Sequence, residues 1–138
     1  MQKRTTVLNP YLTFEGNCRE AMNTYKAIFG GELDLMTFKD SPMDVDEDHK
    51  EKIMHGVLKF GEATLMASDG QKGQKFSQGD ATWIMVSIPE LDSAEAAFKK
   101  LQEGGSIVMD WSKTFWNSMF GMCVDKFGIG WMIACEFE

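Results

Sequence analysis

The chain has little histidine, little proline and no excess of positive charge. Its 138 residues hold 14 Lys and Arg against 21 Asp and Glu, a formal net charge of -7. That balance excludes a phosphate-backbone partner, whose affinity comes from neutralising phosphates with basic side chains. There is no basic run, and no aromatic platform interleaved with arginine for single strands. No stretch approaches the roughly 20 apolar residues of a membrane span. Lys3 and Arg4 have no apolar run behind them, which predicts no signal peptide and a cytoplasmic location. The cysteines, Cys18, Cys123 and Cys135, are odd in number, widely scattered and never spaced as CxxC. They fit buried thiols in a reducing compartment better than a disulfide framework or a thiolate metal site. With only His49 and His55 available, imidazole chemistry has few places to reside.

What is present is a repeat. Lys59-Phe60-Gly61 is followed three residues later by Leu65-Met66-Ala67, and Lys126-Phe127-Gly128 by Met132-Ile133-Ala134 as the corresponding apolar run. Internal repetition implies two similar halves. The length suits one domain spanning residues 1–138. Within it, the first module is expected over 7–69, a Gly/Gln/Lys-rich linker over 70–80, and the second module over 81–138. Val7 to Phe14 reads as a strand, and Cys18 to Phe29 carries a helical apolar stripe with Asn17 as N-cap and Gly30-Gly31 as stop. Leu33 to Phe38 reads as a strand, Ser41 to Lys52 as a polar loop, and Ile53–Phe60 with Glu62–Ser68 as a hairpin. The second half repeats this order: strand Thr82 to Ile88, helix capped by Asp92 or Ser93, strand Ser106 to Trp111, loop Lys113 to Met119, then strands Phe120 to Val124 and Ile129 to Phe137. The pattern is βαβββ twice. With so few helices it predicts an α+β fold, a curved mixed sheet with a cleft, rather than a doubly wound one.

Pleat parity assigns the faces. Ile133, Cys135 and Phe137 share a helix-covered face, leaving Met132, Ala134 and Glu136 opposite. Ile84, Val86 and Ile88 point to the helix, leaving Trp83, Met85 and Ser87. Leu12 and Phe14 point inward, leaving Asn9, Tyr11 and Thr13. Aligning the repeats on their glycines equates Met66 with Ile133, which leaves Leu65, Ala67 and Asp69 on the open face. An apolar surface with a few polar points is the usual form of a ligand site, although the same surface could pack against another chain.

These residues resemble a known family. Leu8-Asn9-Pro10-Tyr11-Leu12-Thr13-Phe14-Glu15-Gly16-Asn17-Cys18-Arg19-Glu20-Ala21, Ile53-Met54-His55, Leu65-Met66-Ala67-Ser68-Asp69, Thr114-Phe115-Trp116, and Asp125-Lys126-Phe127-Gly128 with Trp131-Met132-Ile133 are similar, in order, to the motifs of the PhnB-like branch of the vicinal oxygen chelate (glyoxalase/bleomycin-resistance/dioxygenase) superfamily. The resemblance runs from Leu8 to the C-terminus. It implies paired βαβββ modules and a homodimer. The branch often carries the label 3-demethylubiquinone methyltransferase. The sequence offers no strand–Gly-rich-loop–helix unit for such a cofactor.

The resemblance also locates where superfamily enzymes place a divalent ion. Those positions fall on Asn9 or Pro10, Leu65, Trp83 and Met132. Aliphatic, indole and thioether side chains do not hold a hard or borderline dication, so the expectation is no metal and no cofactor. Asp44, Asp46 and Asp48 alternate like the start of a calcium loop. His49 stands where that loop needs Gly and His55 where it needs Glu, so the match fails.

The remaining candidates divide by role. Tyr11, Thr13, Leu65, Asp69, Trp83, Phe115, Trp116, Met132 and Glu136 are the expected ligand-contacting residues. Phe115 and Trp116 equally suit a dimer interface. His55 as general base, with Asp69 or Glu136 as matched carboxylates from the two modules, is the catalytic alternative. His49 is expected in solvent. The function expected is metal-free binding or sequestration of an unidentified small molecule. The competing readings are an enzyme acting on a carbonyl or aromatic molecule, and a structural dimeric subunit with no ligand.

Overall fold

The computed structural model describes residues 4–42 and 44–137; Lys3, half of the N-terminal basic pair, lies outside the described residues. The chain divides into two compact units, Met1–Phe76 and Ser77–Glu138. The first runs β1 (Tyr11–Thr13), α1 (Cys18–Phe29), β2 (Glu32–Thr37), short 3-10 turns at Phe38–Asp40 and Glu47–His49, β3 (Ile53–Phe60) and β4 (Ala63–Ser68). The second runs β5 (Ile84–Ser87), α2 (Leu91–Gln102), β6 (Ser106–Lys113), β7 (Ser118–Val124) and β8 (Gly130–Glu136). Each unit is thus βαβββ. Its sheet has the order β1-β4-β3-β2 in one unit and β5-β8-β7-β6 in the other. The first strand of each unit pairs parallel with the last, and the other pairings are antiparallel. The architecture is the expected α+β fold.

One helix covers one face of each sheet, and the same spacing explains both. Cys18, Ala21, Met22 and Tyr25 form the buried stripe of α1, and Ala94, Ala97, Phe98 and Leu101 that of α2. Positions i, i+3, i+4 and i+7 lie on one side of a helix, so each stripe meets its sheet along its length. Beneath α1 lie Leu58, Leu65 and Ala67; beneath α2 lie Cys123, Trp131 and Ile133. Gly121 on β7 is required by this packing. A Cβ there would stand 2.6 Å from the Phe98 ring.

The helix starts differ from expectation. Asn17 is the N-cap of α1 by position but makes no side-chain cap bond. The Asp69 carboxylate substitutes for it, accepting from the backbone N–H of Gly16 and Cys18, both at 2.9 Å. α2 begins at Leu91 behind Glu90, so Asp92 and Ser93 lie inside its first turn. Asp92 there still favours the positive end of the helix dipole. The expected Lys113–Met119 loop shrinks to 114–117 because both flanking strands extend into it.

The register corrects one face. Ala67 pairs with Leu12 and Gly56, as Ile133 pairs with Val86 and Gly121. Ala67, not Met66, therefore occupies the place of Ile133. Lys59 and Phe60 are the last residues of β3, with Gly61 and Glu62 turning directly into β4. Lys126, Phe127 and Gly128 instead lie in the longer loop 125–129. Aligning the two phrases on glycine slips β4 by one residue, and a slip of one residue exchanges every side chain between faces. Leu65 and Ala67 are accordingly buried under α1, and Met66 lies on the open side. The assignments for β1, β5 and β8 agree with the pairing.

Candidate functional site

The open face of the first sheet is built from alternate residues of four strands. One row across it runs Tyr11, Met66, Val57, Asp34. In the next, Thr13 lies opposite Ser68 and His55 opposite Met36. The question of which face His55 occupies is thereby settled: it stands with Tyr11, whose hydroxyl is 2.9 Å from His55 Nδ1. The two rings lie 5.7 Å apart at 26°. Partial burial raises the Tyr11 pKa above the usual phenol value, an effect opposed by a hydrogen bond with Ser68. The phenol thus stays protonated through the neutral range. If the hydroxyl donates to Nδ1, a neutral imidazole carries its proton on Nε2 and offers it to a ligand oxygen; if the hydroxyl accepts from Nδ1–H, Nε2 is free to take a proton.

Asp69 does not join this face. It is 2% exposed, and besides holding Gly16 and Cys18 it accepts from Ile53 N–H at 2.8 Å. It stands two residues past Ala67, where the second unit has Cys135, so it is not the counterpart of Glu136. Its analogue in role is Asp125. That carboxylate accepts from the N–H groups of Phe127 and Ile129 and from Trp131 Nε1, at 2.8, 3.0 and 2.8 Å. Among the described residues each unit thus has a buried carboxylate that fastens a loop, and neither signal is visible in local periodicity. Glu136 is exposed at the end of β8. Leu65 is 3% exposed and belongs to the core.

His49 also departs from expectation. It is buried, donates from Nε2 to the Gly70 carbonyl at 3.0 Å, and packs 4.6 Å from the Phe38 ring. Beside it lies a polar hollow of about 430 Å³ bounded by Asp48, Lys52, Lys72 and Lys75. Its cations are already engaged: Lys52 donates to the Gly16 carbonyl, Lys72 pairs with Asp46 and Asp48, and Lys75 with Glu15. Asp46 and Asp48 of the alternating acidic run thus face Lys72.

In the second unit Met132 lies opposite Met85 on the open face. Trp83 covers Gly130, where an added Cβ would sit 2.8 Å from the indole. Trp83, Val108, Val124 and Gly130 bound a hollow of about 280 Å³. Phe115 and Trp116 occupy the turn between β6 and β7, closed by Thr114 N–H to the Ser118 carbonyl and by Asn117 at φ 64°. Trp116 meets Phe120 edge-on at 6.2 Å, whereas Phe115 is 96% exposed.

The divalent ion of the fold's enzymes does not fit these residues. By the observed register the corresponding strand positions are Asn9, Met66, Trp83 and Met132. One amide, one indole and two thioethers make no site for a hard or borderline dication. Among the described residues no three His, Cys, Asp or Glu side chains cluster for a metal. No helix among them is long and apolar enough to cross a membrane.

The chain matches a family model described as 3-demethylubiquinone-9 3-methyltransferase over residues 6–134. It is 31% identical to protein YjdN of Escherichia coli K12, over 91% of this chain and 92% of that protein. It resembles the crystal structure of protein PA1353 from Pseudomonas aeruginosa at 40% identity and a TM-score of 0.88, covering 97% of this chain and 100% of the other. A Bacillus cereus structure described as a putative 3-demethylubiquinone-9 3-methyltransferase, PhnB protein, shares the fold at 24% identity and a TM-score of 0.73, over 92% and 97% of the two chains. With the family model spanning nearly the whole chain, the chain belongs to this PhnB-like family, and its βαβββ units have the vicinal oxygen chelate fold.

Proposed function

We propose that the protein binds a small molecule on the open sheet faces without a resident divalent ion. The observation that carries this reading is the Tyr11–His55 pair, 2.9 Å apart on a face that α1 leaves uncovered. Thr13 and Ser68 supply further hydroxyls beside it. Taken by itself, the second unit has its own apolar contact area in Met132, Trp83 and Trp116, with Glu136 at the margin. A mainly apolar surface with a few convergent polar groups is what ligand sites require. The ligand fitted to the pair bears a hydrogen-bond-accepting oxygen, such as a carbonyl. The same pair supports a second reading, in which His55 moves a proton for such a substrate while Tyr11 sets its tautomer. Methyl transfer has no support, since each unit is a four-stranded mixed sheet with one helix and no parallel nucleotide-binding unit. The three free, buried cysteines fit a reducing cytoplasm, and we place the protein there as a homodimer.

A thermal-shift screen of oxygenated aromatic and carbonyl compounds, with and without divalent ions, tests the reading, because a ligand of the native state raises the melting temperature. The expected result is a shift that does not depend on added dications and is lost in Tyr11→Phe and His55→Gln. A shift that appears only with a dication overturns the metal-free part. A hit unaffected by both substitutions removes the pair from the site.

A further inference from the structure

Four methionines lie in one row across the second sheet. Met85 is opposite Met132, Met132 opposite Met122, and Met122 opposite Met109 across a bulge in β6. Met85, Met132 and Met122 are on the face away from α2, since Cys123, Trp131 and Ile133 fill the other face of β7 and β8. Met85 and Met109, on the outer strands, are 54% and 48% exposed, and the two inner methionines are half-buried. Neighbouring strands are about 4.8 Å apart. A methionine side chain spans that gap, so adjacent sulfurs can converge on a point above the sheet. Apolar packing alone would be served by Leu, Ile or Val in any of these strands. Thioethers are neutral and soft. They reject the hard and borderline dications considered above and suit Cu(I).

We propose that Met85, Met132 and Met122 form a thioether site for Cu(I). The thiols are poor competitors for the ion. All three are buried, so none is presented to an incoming ion. The net charge of -7 favours a bound cation. The inference does not rest on the small-molecule reading, and its test uses no organic ligand.

The test is an anaerobic titration of the reduced full chain against Cu(I) held by bicinchoninate. The protein should withdraw the ion, and X-ray absorption should show sulfur alone in the inner shell. Met85→Leu and Met132→Leu should each weaken capture by about tenfold or more, the scale that even outer-shell changes reach at metal sites. Met22→Leu, buried beneath α1, should leave capture unchanged. Leu nearly conserves the volume of Met. Met85 is moreover half-exposed, so its variant keeps the fold, which circular dichroism verifies. No withdrawal by the wild type, capture unchanged in Met85→Leu and Met132→Leu, or nitrogen and oxygen in the inner shell would each overturn the site.

Discussion

Asp69 accepts from the N–H groups of Gly16, Cys18 and Ile53, joining the entry of α1 and the start of β3 to the end of β4. Replacing it with Ala strands three backbone donors, two of them at buried positions, and each buried orphan costs about 1–3 kcal/mol. Asp69→Ala is therefore expected to lower unfolding free energy by roughly 3 kcal/mol or more in urea titration. A loss under about 1 kcal/mol, the size of one ordinary hydrogen bond, would show that water replaces the clamp. Sequence reasoning placed Asp69 on the ligand face because alternation is a local signal, whereas its partners lie up to 53 residues away. His49 was misplaced for the same reason. A charged neighbourhood suggested solvent, but the Phe38 ring and the Gly70 carbonyl enclose it. His55 was legible as a strand residue, while its pairing with Tyr11 required the registers of β1, β3 and β4 together.

At the scale of elements, both helices and the order of elements along the chain were readable from apolar stripes and glycine stops. The relation between the two copies was not. It depends on turn length, because β3 passes into β4 through Gly61 and Glu62, whereas β7 reaches β8 through a loop that Asp125 gathers. That difference exchanges the roles of Leu65 and Met66. Leu65→Ala is accordingly expected to cost about 2–5 kcal/mol by opening a cavity under α1, and Met66→Ala clearly less. Ile133→Ala and Met132→Ala should show the same contrast in the second unit, where Ile133 is fully buried and Met132 is not. Denaturant midpoints of the four variants decide it. If Met66→Ala proves the costlier of its pair, the glycine alignment is right and the observed register wrong.

For the whole molecule, ordered motifs and repeated βαβββ units made the family legible from the chain alone, while neither the ligand nor the assembly has such a signature. The surface offers one physical argument about assembly. Phe115 is 96% exposed and Trp116 55%, on a turn that Thr114, Asn117 and Ser118 hold in shape. Large aromatic side chains fixed in solvent are typical of interface anchors. Opposing association is the charge, since two copies at -7 repel each other. Salt screens that repulsion over a Debye length of about 10 Å at 0.1 M while leaving apolar contact intact. A dimer built on this turn should therefore tighten as salt rises, the reverse of one held by ion pairs. Sedimentation at micromolar concentration should give twice the 15.6 kDa chain mass, with dissociation favoured at low salt. Phe115→Ala should shift the equilibrium toward monomer at every salt concentration. A monomer throughout would refute the dimer. A dimer indifferent to Phe115→Ala would remove this aromatic turn from the interface.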